Sequence, residues 1–233
     1  MRCGGWDERR VQLCRGPTVQ GRSCGRRLGY SYAGLAWCVH PPSSPNHPKD
    51  PAESSVNRYA DLCPHPTNPS LILAVLEDHT TDLPSAVLNS VVLLSLPTST
   101  LHSVVSGTDF YSSPRWSAEG RMCWIQWKHP DMPWEGSELW VAEVGIKDGE
   151  VDLENVVKPG SAKKIAGEGK GVESVSQPRW VEDEDKLLFL SDRTGFYELY
   201  QWTQEGGVRM VLEEPTGADA GGEVCGLLGG RKC

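Results

Sequence analysis

One Gly-x-Ser-x-Gly match, Gly21-Arg22-Ser23-Cys24-Gly25, is the place in this sequence where a covalent nucleophile would first be sought. The chemistry needs more than the motif. A hydrophobic strand must lead into the serine and a helix must leave it, so that the sharp turn holds the hydroxyl exposed. Cys14 to Gln20 does not read as a core strand, and Arg26 and Arg27 follow, so Ser23 is a chance match and no catalytic residue is assigned. The remaining candidates fail on spacing. His40, His47 and His65 lie beside prolines in turns, His102 opens a strand, and none stands at motif distance from a nucleophile. Gly167-Glu168-Gly169-Lys170-Gly171 lacks the full phosphate-loop spacing and a following helix, and it reads as a connection between repeats. The acidic run Glu182-Asp183-Glu184-Asp185 falls where a tight turn is expected and reads as a solvated tip. With no Cys-x-x-Cys pair and no Cys/His cluster at zinc spacing, no metal or cofactor is expected.

Those residues belong to a chain of 233, long enough for one large domain, with 38% apolar residues to build a core. Nine Trp against three Phe, with 25 Gly and 17 Pro, imply many turns and short strands, hence an all-β fold. Residues 1 to 27 carry seven Arg against Asp7 and Glu8, a surplus of +5 within a total of −8, so the body is acidic. An acidic body argues against nucleic acid as a partner, because phosphate binding needs a basic surface. The longest apolar runs, Leu71 to Leu76 and Val91 to Leu94, are strand-sized and far short of the roughly 20 residues that span a bilayer. No apolar stretch of signal-peptide length follows Met1, so a cytoplasmic location and no membrane partner are expected. Of the eight cysteines only Cys63 and Cys123 fall in the patterned body, where buried free thiols are expected.

Three parts follow from texture. Residues 1–55 lack sustained periodicity and read as an irregular or disordered segment, residues 56–214 alternate short β-prone runs with Pro, Gly, Asp and Ser turns, and residues 215–233 lose that pattern. Within the middle part the sequence repeats itself. Ser113-Pro114-Arg115-Trp116 matches Gln177-Pro178-Arg179-Trp180 at a spacing of 64 residues. A turn at Ala118-Glu119-Gly120, a strand from Met122 to Trp127 and Glu138-Leu139-Trp140-Val141 follow the first. A turn at Glu182 to Asp185, a strand from Leu187 to Leu190 and Glu198-Leu199-Tyr200 follow the second. A weaker copy opens at Arg58-Tyr59-Ala60-Asp61 and continues through Leu71 to Leu76, Val87 to Leu94 and Leu101 to Val105. Four-stranded units repeating in this way predict a partial, open β-propeller of about three blades, with Trp116, Trp140 and Trp180 as recurrent core residues. Three blades cannot close a ring, so two unpaired blade faces are expected, with aggregation or assembly as the consequence.

The repeat also singles out two loops. His79 and His129 each follow the second strand of a unit and open the longer connections Asp78 to Ser85 and Lys128 to Ser137, which emerge on one face of such a fold. If that face meets substrate or partner, Glu77, Asp78, His79, His129 and Trp134 are the residues that could touch it. The plainer reading is that they shape loops and cap strands.

Pro114 to Gly120 is similar to the Pro-x-Trp-Ser-Pro-Asp-Gly signature of TolB-like and peptidase propellers. The segment from Trp124 through His129-Pro130-Asp131-Met132-Pro133-Trp134 to Trp140 resembles the acylaminoacyl-peptidase and dipeptidyl-aminopeptidase branch of the prolyl oligopeptidase family. Ser191-Asp192-Arg193-Thr194-Gly195 with Glu198-Leu199-Tyr200, and Arg58 to Asp61 with Glu77-Asp78-His79, add further family-like motifs. The resemblance implies the N-terminal propeller of a serine peptidase, whose job is to restrict access so that short peptides reach the nucleophile. In that family an α/β-hydrolase domain with Ser, Asp and His follows the propeller. Gly217 to Gly222 looks like the start of another blade and the pattern then ends, so this chain is expected to lack the triad and to be inactive alone. The expected partners are the family's hydrolase domain or short peptides. The alternative is a TolB-like propeller that binds a partner protein and has no enzymatic activity.

Overall fold

The β-branched and aromatic runs of the middle region form strands, and Gly, Pro, Asp and Ser separate them. A computed structural model describes residues 57–213, apart from 82, 84–85 and 182–184, together with three short strands nearer the N-terminus. Ser23, Glu182 to Glu184 and Gly217 to Gly222 lie outside the described residues. The three strands, β1 (Gln12–Gly16), β2 (Gly29–Tyr30) and β3 (Ala36–His40), make an antiparallel sheet in the order β1-β3-β2.

Three four-stranded antiparallel sheets follow. The first runs in sequence order through β4 (Asn57–Pro64), β5 (Leu71–Asp78), β6 (Leu88–Ser95) and β7 (Thr100–Ser106). The second takes β8 (Phe110–Trp116), β9 (Arg121–Trp127) and β10 (Glu138–Glu143), then a two-stranded insertion of β11 (Ile146–Lys147) and β12 (Glu150–Val151), and only then its edge strand β13 (Lys163–Ala166). The third is β14 (Val175–Val181), β15 (Lys186–Ser191), β16 (Glu198–Thr203) and β17 (Gly207–Met210). These are the three blades expected from the repeat, and they stack as an open β-propeller. The turn at Ala118-Glu119-Gly120 joins β8 to β9 as expected.

Side-chain alternation explains the stacking. On β9, Met122 and Trp124 face the first sheet and pack with Leu71, Leu73, Val75, Val91 and Leu93. The intervening Cys123 and Ile125 face the third sheet and pack with Val175, Leu187, Phe189, Tyr200 and Trp202. The middle blade therefore buries both faces. Trp116 is buried, and Trp140 and Trp180 are half-buried against these two cores, so the recurrent tryptophans are packing residues as expected. An ion pair between Arg121 at the start of β9 and Asp185 in the turn before β15 links the second blade to the third. The Arg121 guanidinium also lies 5.9 Å from the Trp202 ring centroid.

The blade faces turned away from the stack differ from one another. Every residue of β5 from Leu71 to Leu76 is buried, and Ile72, Ala74, Leu76, Val92 and Leu94 form a cluster of their own on the outer side of the first blade. The expectation of an exposed face there is corrected by this burial, and β2 contacts β4 of the same blade. On the third blade β16 alternates buried and half-buried residues, as a sheet with one covered face must.

Candidate functional site

The innermost strand of each blade carries the same irregularity. The ladders β4–β5, β8–β9 and β14–β15 shift register between Ala60 and Cys63, Ser112 and Arg115, and Ser176 and Arg179. Within each bulge one residue has positive φ, at 51° for Asp61, 52° for Ser113 and 52° for Gln177. A non-glycine residue in that region is uncommon, and three occurrences at one structural position mark a property of the fold. A bulge re-aims the side chain that follows it. That position holds Cys63 in the first blade and arginine in the other two.

The inner strands also hold one another. Ser113 donates its backbone N–H to Asp61 Oδ2 at 2.9 Å, and Trp180 Nε1 donates to the Arg115 carbonyl at 3.3 Å. Each arginine is tethered by its own strand: the NH1 of Arg115 donates to the Pro114 carbonyl at 2.8 Å and that of Arg179 to the Pro178 carbonyl at 3.0 Å. Beneath them lies Cys123, wholly buried, whose thiol burial pushes up to about 12, against the opposing pull of the Arg115 charge and, more weakly, that of Arg179.

Between the second and third blades these arginines line a cleft of about 340 Å³. Ser112, Ser113, Ser176 and Gln177 come from the inner strands, and Pro133 and Trp134 from the loop after β9. Ser174, Val175 and Tyr197 close the other side. Ser174 fixes this wall, because its Oγ lies 2.7 Å from both the Pro133 carbonyl and the Tyr197 hydroxyl. Guanidinium, hydroxyl, amide and aromatic groups line the cleft, and among the described residues no carboxylate or imidazole does. Such a lining can bind and orient.

The five residues singled out from sequence divide between two places. Trp134 is 65% exposed at the rim of the cleft. His129 belongs to the same loop but packs edge-on against Phe110, with ring centroids 4.8 Å apart, and its backbone N–H donates to Asp109 Oδ2 at 2.9 Å. Glu77, Asp78 and His79 sit at the end of β5 and just beyond it, with His79 Nε2 3.3 Å from Glu77 Oε2. Asp78 accepts hydrogen bonds from the Thr80 hydroxyl at 2.6 Å and its backbone N–H at 2.8 Å, which hold its carboxyl below the usual range. Asn89, opposite Glu77 in the ladder, donates to the Asp109 carbonyl at 2.6 Å. Asp109 thus links Asn89 of β6 to the start of the loop after β9, and Trp134 alone of the five reaches the cleft.

The Ser191 to Gly195 motif acts as a brace at the start of the third blade. Ser191 Oγ donates to Glu173 Oε1 at 2.6 Å, Arg193 NH2 donates to the same oxygen at 2.7 Å, and the Ser174 N–H donates to Asp192 Oδ1 at 2.7 Å. The motif secures the start of β14 and so the position of Ser174. Sequence reasoning passed over Arg115, Arg179, Ser174 and Tyr197. The signal for the first two was present in the repeated Pro-Arg-Trp, where the tryptophan drew the assignment and the arginine did not.

Fold and cleft together define an open β-propeller with a polar and aromatic cleft between its second and third blades. The solved structures it resembles include a peptidase and a hydrolase that act on puromycin. A puromycin-hydrolysing peptidase from Mycobacterium tuberculosis superposes with a TM-score of 0.55 at 26% identity, over 70% of this chain and 25% of the other. A puromycin hydrolase superposes with a TM-score of 0.59 at 24% identity, over 77% of this chain and 26% of the other. The chain therefore spans about a quarter of the length of each. The resemblance to peptidase propellers read from the sequence is borne out. No protein-family model and no curated protein matches the chain. No helix among the described residues is long and apolar enough to cross a membrane.

Proposed function

We propose that residues 57–213 are the non-catalytic, substrate-selecting propeller portion of a serine peptidase of the prolyl oligopeptidase kind that acts on short peptides. The hydrolytic serine belongs to a separate α/β-hydrolase domain, and the propeller decides what reaches it. The observation that carries this reading is the 26% identity in sequence and shared fold with a puromycin-hydrolysing peptidase. The composition of the cleft supports it, because two arginines, several hydroxyls and the exposed Trp134 suit the recognition of a small polar ligand and supply no hydrolytic machinery.

The test is turnover of acyl-peptide and dipeptide chromogenic substrates by the purified chain. No turnover above the uncatalysed rate is expected, and Ser23→Ala is expected to change nothing. Measurable hydrolysis that Ser23→Ala abolishes would place a working nucleophile in this chain and overturn the proposal.

A further inference from the structure

The three bulges put one residue of each blade at the same point of the fold: Asp61, Ser113 and Gln177, with φ of 51°, 52° and 52°. Where the first blade meets the second, this position makes a tie, because Asp61 Oδ2 accepts the Ser113 backbone N–H at 2.9 Å. Ser113 and Gln177 interrupt their ladders in the same way, each within a pair of residues that stands against one on the neighbouring strand. Equal φ and equal register point the Gln177 N–H as the Ser113 N–H points, out of its own ladder and toward the preceding blade. The second junction lacks the matching acceptor. Ser113 stands there in the place of Asp61 with no carboxyl to offer, and among the described residues no side chain accepts from the Gln177 N–H. Ser113 and Gln177 both line the cleft, so the place that the Asp61 carboxylate fills at one junction belongs to the cleft at the next.

We propose that the cleft takes the acidic side chain of a peptide, whose carboxylate accepts from the Gln177 N–H as Asp61 accepts from Ser113. Ser112 and Ser176 flank the two bulge residues with further hydroxyl donors, and no acidic side chain among the described residues lines the cleft to repel an anion. A cleft of about 340 Å³ holds more than the carboxylate itself, and Pro133 and Trp134 offer apolar contact to the rest of the ligand. The inference rests on the peptide-selecting reading of this cleft and adds the side chain that is selected. Residue 113 then decides whether a junction is tied from within or by a ligand.

Amide proton–nitrogen correlation spectra of the full chain at neutral pH test this with N-acetyl-aspartate N-methylamide, its asparagine counterpart and acetate as probes. The aspartate probe is expected to move the Gln177 amide proton downfield and to bind at least about tenfold more tightly than the asparagine probe, since a charged acceptor makes the stronger bond. Acetate is expected to bind more weakly than the aspartate probe. Ser113→Asp rebuilds the tie of the first junction at a φ that Asp adopts more readily than Ser. It is expected to move the Gln177 amide proton downfield with no probe present and to weaken the aspartate probe at least about tenfold. Asp61→Asn, the reverse change, is expected to move the Ser113 amide proton upfield, and no shift there would contradict the tie on which the comparison rests. A Gln177 amide unmoved by Ser113→Asp would show that the junctions are not equivalent and overturn the inference. Equal binding of the aspartate and asparagine probes would overturn the carboxylate. Acetate binding as tightly as the aspartate probe would leave a site for a bare anion and overturn the acidic residue. Failure of all three probes would overturn the inference, and the peptide-selecting reading falls with it only if trialanine also leaves the amides of residues 174–179 unmoved.

Discussion

At the scale of single residues, Cys123 shows how burial decides chemistry. Its side chain is fully enclosed between the second and third blades, and its thiol is pushed up to about 12 from an ordinary value of 9.0. Only the thiolate reacts readily with alkylating agents, so Cys123 should resist iodoacetamide at pH 8 in the folded protein and react fully in denaturant, as read by peptide mass mapping. Labelling of Cys123 under native conditions would contradict the packing of the blade interface. The same raised value has a consequence for stability. Below about pH 9 the thiol is neutral in both states and its contribution is complete. Between about 9 and 12 the unfolded chain ionises first, and that contribution is lost as the pH rises. Cys123 was expected to be a buried free thiol because it falls in the patterned body of the chain. The repeated Pro-Arg-Trp marked Arg115 and Arg179 as recurrent, but their place in the cleft was not legible, because the bulge that brings them there arises from pairing with the neighbouring strand.

At the scale of elements, the long apolar strands were legible and the short polar ones were not. The run Leu71 to Leu76 became β5 and Met122 to Trp127 became β9 with ends displaced by two residues or fewer, because both faces of these strands are buried and the apolar signal is continuous. The edge strand β13 escaped notice. It reads Lys163-Lys164-Ile165-Ala166, exposes its first two residues, and pairs with β10 only after a chain excursion through the β11–β12 insertion. The step from β13 into the third blade depends on Gly167, which has φ of +87° and has the Ser137 carbonyl oxygen where a Cβ would stand. Gly167→Ala is therefore expected to destabilise the protein by about 2–3 kcal/mol, through both the strained backbone and the overpacked contact. Chemical denaturation measures this directly. A change within experimental error would mean that the crossing between the second and third blades is laid out differently.

At the scale of the whole molecule, stability comes from blades covering one another. The middle blade has a neighbour on each side, and the first blade packs on the second through one face and holds a further buried cluster on the other. Full burial of a side chain such as Ile72, Leu76 or Leu94 contributes about 1.5–3 kcal/mol, so uncovering that face is costly. A chain beginning at residue 56 is expected to aggregate or self-associate on gel filtration at concentrations where the full chain does not. An equally stable monomer would show that the sheet nearer the N-terminus contributes no cover. This arrangement could not be read from residues 1–55, whose short strands lack the periodicity that marks the blades.

The central claim is that this propeller selects short peptides at the cleft between its second and third blades. Amide hydrogen exchange of the full chain, with and without saturating trialanine, tests it most directly. Protection should concentrate in residues 131–137 and 174–179, the loop carrying Trp134 and the inner strand carrying Arg179, with the peptide recovered intact. Protection elsewhere on the propeller, no protection at saturation, or a cleaved peptide would contradict the account.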